Sequence, residues 1–375
     1  MLPFIRTEVA KRLKGEHPNQ IAVSPTSSPF SSRLKKLQET QPELLKTVLQ
    51  LIRERYKGIL PQATNFINKL AFHYTENEIK NLITQQISVL LYELTTNYKT
   101  FEIGCEGGCS LTINGTAYQQ PQATITRTTE GMFIQIPALG NAFPTENIVI
   151  SSLNQGLVSI TNYSRKSYAN IPRNTFRGTL IFQKDRYQAP DGTLKNGFVV
   201  INQLPFSEYL KGIVETNDQE HLEKNKVMAL IAKNYALFYL NNHNLHPNIP
   251  AEASYDAIDS PEMFQKYVGA GAEKTLTKRY EALEATKHQV VLYSGMLPIL
   301  PYFSCSAGFT LSALEKRGWK DTPYLQSVFD FAVCPDFEGH GVGLAGKGAE
   351  YFAQKGMKAD EILQRYYPSV AVVDV

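Results

Sequence analysis

Short β-branched segments recur between residues 100 and 205, and no other feature limits the fold of this chain as tightly. Ala123-Thr-Ile-Thr and Met132-Phe-Ile-Gln-Ile alternate or cluster side chains that suit a pleated, half-buried surface. Ile148-Val-Ile, Leu157-Val-Ser-Ile, Thr179-Leu-Ile-Phe and Phe198-Val-Val-Ile have the same character. Pro190-Asp-Gly stands between the last two and predicts a tight turn. A chain with this many strand segments must build a sheet.

Helical signals flank the strands. In the stretch 40–98, Thr40 and Glu43 form a capping box with Pro42 in the first turn. Leu44, Leu45, Val48, Leu49, Ile52 and Tyr56 follow at helical spacing, and Gly58 reads as a stop. A second box, Thr75 with Glu78, precedes an apolar stripe of Ile79, Leu82, Ile83, Leu90, Leu91 and Leu94. The plain reading of this region is a packing or spacer unit. Further on, Asn217 as N-cap with Glu220 at the third position predicts a helix that buries Val227, Leu230, Ile231, Tyr235 and Phe238. Gln289-Val-Val-Leu-Tyr predicts a strand, Ser294-Gly a turn, and 298–303 a returning strand. Residues 1–36 carry Ser, Pro, Lys and Arg without periodicity and read as a tail or linker. The expected architecture is α+β: tail 1–36, helical region 37–99, β-rich domain 100–175 and a mixed α+β domain 176–375.

Composition narrows the function classes. With 43% hydrophobic and 19% charged residues, the 375-residue chain can bury a core and is no disordered tract. A net charge of +3 is too mild to indicate nucleic acid, which calls for a concentrated basic face. It suits a neutral polymer such as a glycan. No run of ~20 apolar residues predicts a membrane span, and residues 1–20 lack the apolar stretch of a signal peptide. Cys105 and Cys109 flank Glu-Gly-Gly, while Cys305 and Cys334 form a distant pair. Two disulfides or free buried thiols both fit this pattern, and no zinc-finger spacing is present.

Three segments could carry chemistry. The first is Tyr209-Leu-Lys-Gly-Ile-Val-Glu-Thr-Asn, which leads to Lys233-Asn-Tyr-Ala. The second is Pro301-Tyr-Phe-Ser-Cys-Ser-Ala-Gly-Phe-Thr. The third is Gly339-His-Gly-Val-Gly-Leu-Ala-Gly-Lys-Gly-Ala, followed by Glu361-Ile-Leu-Gln-Arg-Tyr-Tyr-Pro. Glu215 lies between an apolar stretch and a helix start: desolvation would raise its pKa, and the helix dipole would lower it. Taken alone it is also what an ordinary surface acid looks like. The hydroxyls of Ser304, Ser306 and Thr310 suit sugar recognition, or else cap a turn. The glycine run lacks the Lys-Ser/Thr ending of a phosphate-binding loop, and its histidine could face a ligand or be structural.

In order and spacing these segments resemble the SpoIID/LytB family. There a Tyr-Leu-x-Gly-Val-Val segment with a Glu precedes a helix ending in Arg-Thr-Tyr-Ala. A Tyr-x-Ser-x-Ser-Gly-Gly-x-Thr loop and a Gly-His-Gly-Val-Gly-Met-Ser-Gln segment follow. The resemblance spans 176–368. In the family the acid lies eight residues after the motif Tyr, where this chain has Asn217. Glu215 is the nearby carboxylate, on a segment two residues shorter than usual. Lys233 replaces the family Arg, Ala307 the first Gly of the pair, and Ala345-Gly346 the Ser-Gln.

The resemblance implies a lytic transglycosylase that cleaves the β-1,4 bond of peptidoglycan and leaves a 1,6-anhydro end. Glu215 would be its general acid/base. Lys233, Tyr235, Tyr302, Ser304, Ser306, Thr310, His340, Gly341 and Gly343 would line the glycan groove. No cofactor is needed, although a family-type zinc on Cys305, Cys334 and His340 competes with a disulfide. The implied partners are glycan strands and a wall enzyme, and the implied location is extracytoplasmic. The other implied role is a LytB-like, non-catalytic wall-binding module that modulates an amidase.

Overall fold

The computed structural model describes residues 76–375 apart from 138–139, 141, 165–169, 243–244, 274 and 321. The predicted tail, the helix 44–56 and the Thr40 box lie outside these residues. The described part opens with α1 (Glu76–Thr84), β1 (Gln86–Leu90) and α2 (Tyr92–Asn97). The predicted helical stripe is therefore broken, and Leu90 and Leu91 do not share a helix with Ile79. Gln86–Leu90 contains β-branched Ile87 and Val89, and its last four residues are buried. It pairs with other strands on both edges. Short apolar runs of this kind are ambiguous until the partner strands exist.

The strands that follow are β2 (Thr100–Ile113), β3 (Thr116–Arg127), β4 (Met132–Gln135), β5 (Phe143–Thr145), β6 (Asn147–Ser152), β7 (Val158–Ile160), β8 (Thr175–Phe176), β9 (Thr179–Gln188) and β10 (Leu194–Pro205). They join β1 and β11 (Ala257–Ile258) in one sheet of order β11-β1-β10-β9-β6-β2-β3-β4-β5, with β7 and β8 branching from β2. Only the β1–β11 contact in this path is parallel. Asn114 and Gly115, both with positive φ, turn β2 into β3 as a two-residue hairpin demands. The predicted Pro190-Asp-Gly turn joins β9 to β10, where the Asp191 carboxylate accepts from the Thr193 amide and hydroxyl. The register of β2 shifts between Gly104 and Cys109, and the Cys105–Cys109 disulfide spans that bulge. Pro121, which has no N–H to give a ladder, sits on β3 opposite this break.

From β10 the chain enters the helical layer: α3 (Phe206–Gly212), α4 (Leu222–Asn241), α5 (Thr277–Ala285), α6 (Ala313–Arg317), α7 (Gly346–Gln354) and α8 (Ala359–Tyr366). Helix α4 starts at Leu222 with His221 as its N-cap, four residues later than the predicted Asn217. Asn217 and Glu220 do pair, through the Asn217 amide and the Glu220 carboxylate, but within the preceding turn. Buried residues lie all round α4, so it is a core helix and not a one-faced one.

Strand β12 (Gln289–Tyr293) forms as predicted, and Ser294-Gly295 turns with positive φ. Its partner is β15 (Val370–Asp374), not the returning segment 298–303. Pro298 and Pro301 cannot donate to a ladder, whereas Val370, Val372 and Val373 can fill one. The returning segment instead ends in β13 (Tyr302–Phe303), which pairs in parallel with β14 (Leu344–Ala345).

Cys305 and Cys334 form the second disulfide. It closes a loop with a sequence separation of 29, so chain-entropy reasoning assigns it about 3–4 kcal/mol. Replacing both cysteines with serine should lower unfolding stability by about that amount in denaturant titrations. Reductant should add two hydrogens per bridge to the intact mass.

Candidate active site

Glu215 sits three residues beyond α3, where an isolated bridge joins Ile213 to Tyr267 and the Val214 amide donates to the Lys266 carbonyl. This pairing brings the segment 264–267 beneath the end of α3. The Lys266 amide then donates to Glu215 Oε1 at 2.7 Å, and the Tyr302 phenol lies beside the same carboxylate. Burial pushes the Glu215 carboxyl up. The Lys266 amide, the Tyr302 hydroxyl and the charges of Lys266 and Arg279 pull it down, but burial wins.

Three tyrosines gather here. Tyr209 is fully buried and stacks on Tyr267 at 5.3 Å between centroids. Tyr235 and Tyr302 meet edge to face at 6.3 Å. The charge of Glu215 adds to burial in raising the pKa of all three phenols. Gln265, with no exposed surface, lies between them. Its Oε1 accepts from Tyr209 at 2.9 Å, and its Nε2 donates to the Ala232 carbonyl at 3.2 Å and to the Tyr302 hydroxyl at 3.4 Å.

Beside Glu215 opens a cleft lined by Thr216, Asn225, Met228, Ala232, Arg279 and Leu283 among others. Its volume of about 20 Å³ takes a water-sized group, not a sugar ring. Arg279 is anchored there by the Leu210 and Lys211 carbonyls at the end of α3. Asp218 accepts from Thr277 Oγ1 and from the Lys278 and Arg279 amides, capping α5 from across the chain.

The structure brings Glu215, Tyr235 and Tyr302 together and sends other predicted residues elsewhere. Lys233 is buried on α4, and its ammonium donates to the carbonyls of Thr286 (2.6 Å), Lys287 (3.1 Å) and Gln289 (2.8 Å). Three donors meet three acceptors, so this lysine ties α4 to the α5–β12 junction instead of lining a groove. Burial holds its pKa down to about 8. Its neighbour Asn234 pairs both ways with Val291, accepting from the amide and donating to the carbonyl. Lys233→Met strands three carbonyls and should cost about 2 kcal/mol in chemical unfolding, with no effect on Glu215 titration.

The hydroxyl loop is also mostly structural. Ser306 and Thr310 have no exposed surface. Ser306 donates to Asp330, and the Thr310 hydroxyl accepts from the Val328 amide. Ser304 is exposed and donates to Glu338 at 2.8 Å. His340 Nδ1 accepts from the Val342 amide at 3.1 Å, and the ring packs against Phe303 with centroids 5.7 Å apart. Burial keeps this ring's pKa low. Its Nδ1 is thus taken by the glycine run's own backbone. Gly341 and Gly343 have φ of 81° and 83°. A Cβ on Gly341 would meet Leu311 Cδ1 at 2.7 Å, and one on Gly343 would lie 1.9 Å from the Pro301 carbonyl. The glycine run thus packs β14 against the 301–311 segment. The resemblance-derived zinc does not fit, because Cys305 and Cys334 spend both sulfurs on each other.

Sequence reading missed Gln265, Lys266 and Arg279. No spacing marks them: Gln265 is 56 residues from Tyr209, and Lys266 acts through its backbone.

The fold and this acid–tyrosine cluster define a mixed α+β domain with a half-buried carboxylate beside buried tyrosines. Residues 194–293 match the SpoIID family, described as Stage II sporulation protein, and form a SpoIID-family domain. The matched span runs from β10 to β12 and holds Glu215, Tyr235 and Gln265. Tyr302 and the glycine run come from beyond it. No curated protein matches the chain.

Proposed function

We propose that this protein is a lytic transglycosylase of peptidoglycan with Glu215 as its general acid and base. The observation that carries the reading is a half-buried carboxyl whose pKa is raised by burial and which accepts from the Lys266 amide, within the SpoIID-matching residues 194–293. Protonated Glu215 gives its proton to the glycosidic oxygen as the bond to muramic C1 breaks. The resulting carboxylate takes the proton of the C6 hydroxyl as that oxygen bonds to C1. The 1,6-anhydro ring closes, and Glu215 ends protonated as it began. One carboxyl serves both steps, unlike the paired acids of ordinary glycosidases. The cleft beside Glu215 is too small for a pyranose, so the strand lies over its outer side, along Tyr302. Tyr235 packs behind Tyr302, and exposed Ser304 extends the same strand toward the glycan.

An extracytoplasmic location agrees with the two disulfides, which reducing compartments disfavour. Among the described residues no helix is long and apolar enough to cross a membrane.

Mass spectrometry of purified glycan strands, with and without stem peptides, tests the reading. Anhydro-muramic ends from the wild type support it. Glycan binding with no such product from wild-type protein points to the second reading, a non-catalytic module that modulates a wall amidase. That reading is favoured by Asn217, which stands where the family acid is expected.

A further inference from the structure

Cys305 and Cys334 share one bridge, yet their sulfurs sit in opposite surroundings. Cys305 has no exposed surface. Its Sγ lies 3.6 Å from the Ser306 carbonyl oxygen and 3.7 Å from that of Ala332. Two carbonyl oxygens favour a neutral thiol, which can donate to them, and repel a thiolate. Cys334 stands between exposed Val333 and Pro335 and keeps 8% of its own surface. The Lys347 ammonium donates to its Sγ at 3.4 Å, and a cation so placed favours a thiolate. The same ammonium donates to Glu338 Oε1 at 3.1 Å, while Glu338 Oε2 accepts from Ser304 at 2.8 Å. Lys347 thus connects the bridge to the exposed serine two residues after Tyr302.

We propose that Cys334 is a thiol-exchange site: a thiol reductant opens the Cys305–Cys334 bridge at this sulfur, and Lys347 stabilises the thiolate that results. In the first step the reductant's thiolate bonds to Cys334 Sγ as the bond to Cys305 breaks. Cys305 keeps the electron pair, takes a proton from solvent and becomes a thiol facing the Ser306 and Ala332 carbonyls. A second reductant thiolate then attacks the reductant's sulfur in the mixed disulfide, and Cys334 leaves as a thiolate beside Lys347. Two reductant thiols are oxidised to one disulfide, and the bridge gains two electrons. A thiolate stabilised by a cation leaves faster. The acids of this region are already engaged: Asp330 accepts from Ser306, Glu338 from Ser304 and Lys347, and Asp336 from the Phe337 amide. A thiolate at Cys334 therefore competes with Glu338 for Lys347. Reduction loosens the Ser304–Glu338–Lys347 chain as well as freeing residue 305 from residue 334. Any effect on glycan cleavage rests on the transglycosylase reading, but the exchange chemistry does not.

The test uses the full-length oxidised protein with glutathione, quenched in acid and mapped by peptide mass spectrometry. The mixed disulfide should form on Cys334 and not on Cys305. After full reduction, iodoacetamide at pH 7 should label Cys334 faster than Cys305. In Lys347→Met the Cys334 rate should fall about threefold, because the lost thiolate fraction outweighs the gain in nucleophilicity that a higher pKa brings. Lys347→Arg keeps the charge and should keep the rate. The Lys347 side chain is 54% exposed, so both variants should fold. Cys105, in the other bridge, is the internal reference and should label alike in all three proteins. No mixed disulfide, or one on Cys305, overturns the proposal. So does a Cys334 rate that Lys347→Met leaves unchanged relative to Cys105. Equal rates at Cys305 and Cys334, the result expected if the reduced chain unfolds, overturn it too. No glycan is present in this measurement, so absent glycan cleavage would sink the transglycosylase reading and leave this one standing.

Discussion

Glu215→Gln should reduce the formation of anhydro-muramic ends by about 10²–10⁴-fold, the usual worth of a positioned acid or base. The variant should fold, because Gln can still accept from the Lys266 amide. Stability should move in the opposite direction to activity. The folded-state pKa of Glu215 lies above its ordinary value, so the native state binds this proton more tightly than the unfolded chain does. The group's favourable contribution is complete below the unfolded pKa and is lost as pH rises through the folded one. At neutral pH the wild type therefore bears the whole cost of a buried charge. Glu215→Gln should match or exceed the wild-type Tm at pH 7, and that advantage should fade as the pH approaches 4. Activity has the same origin. The first step needs protonated Glu215, so kcat/KM should fall on the alkaline side of a midpoint higher than that of a free glutamate. A Tm drop at pH 7 together with full glycan cleavage would contradict both halves of this argument.

Gly343→Ala should be among the most destabilising single substitutions in the chain. A φ of 83° disfavours any side chain and costs about 1–3 kcal/mol. The added Cβ would also lie 1.9 Å from the Pro301 carbonyl oxygen and 3.1 Å from the Tyr367 hydroxyl. That carbonyl is not free to retreat. It accepts from Tyr367 at 2.6 Å and from the Leu344 amide at 3.2 Å. Overpacking adds a further ~1–3 kcal/mol. Equilibrium denaturation should show a total loss of about 3–5 kcal/mol. Gly356→Ala supplies the control, because Gly356 has a φ of 94° with no atom within 4 Å of the added Cβ. It should show the conformational cost alone. The clash bears on the site as well: Pro301 directly precedes Tyr302, and Tyr302 pairs with Leu344 on β14. Glycan cleavage should therefore fall further than the folded fraction does.

The predictions that came true and those that failed divide by the range of the interaction. The β9–β10 turn was legible because Pro190, Asp191 and Gly192 act within five residues, through bonds the Asp191 side chain makes to its neighbour Thr193. The strand character of 100–205 was legible because it is a local fit of side chain to pleat. The partner of β12 was not, because β15 lies 77 residues further on and nothing local names it. Leu90 read as part of a helical stripe because a short apolar run fits either period until strands appear on both its edges.

The motif residues show the same division. By itself the sequence determined that this chain would be α+β, that it carries a SpoIID-type segment, and that Glu215 is its carboxylate near the motif tyrosine. Only the tertiary structure decided what each motif residue does. It spent Lys233 on three carbonyls, Ser306 on Asp330 and His340 Nδ1 on the Val342 amide. It raised an unmarked glutamine to the centre of the cluster. The physical reason is that residue types and local spacing set which bonds a side chain can make. Which bonds it does make depends on the donors and acceptors that distant segments bring within 3 Å, and on the water their packing removes.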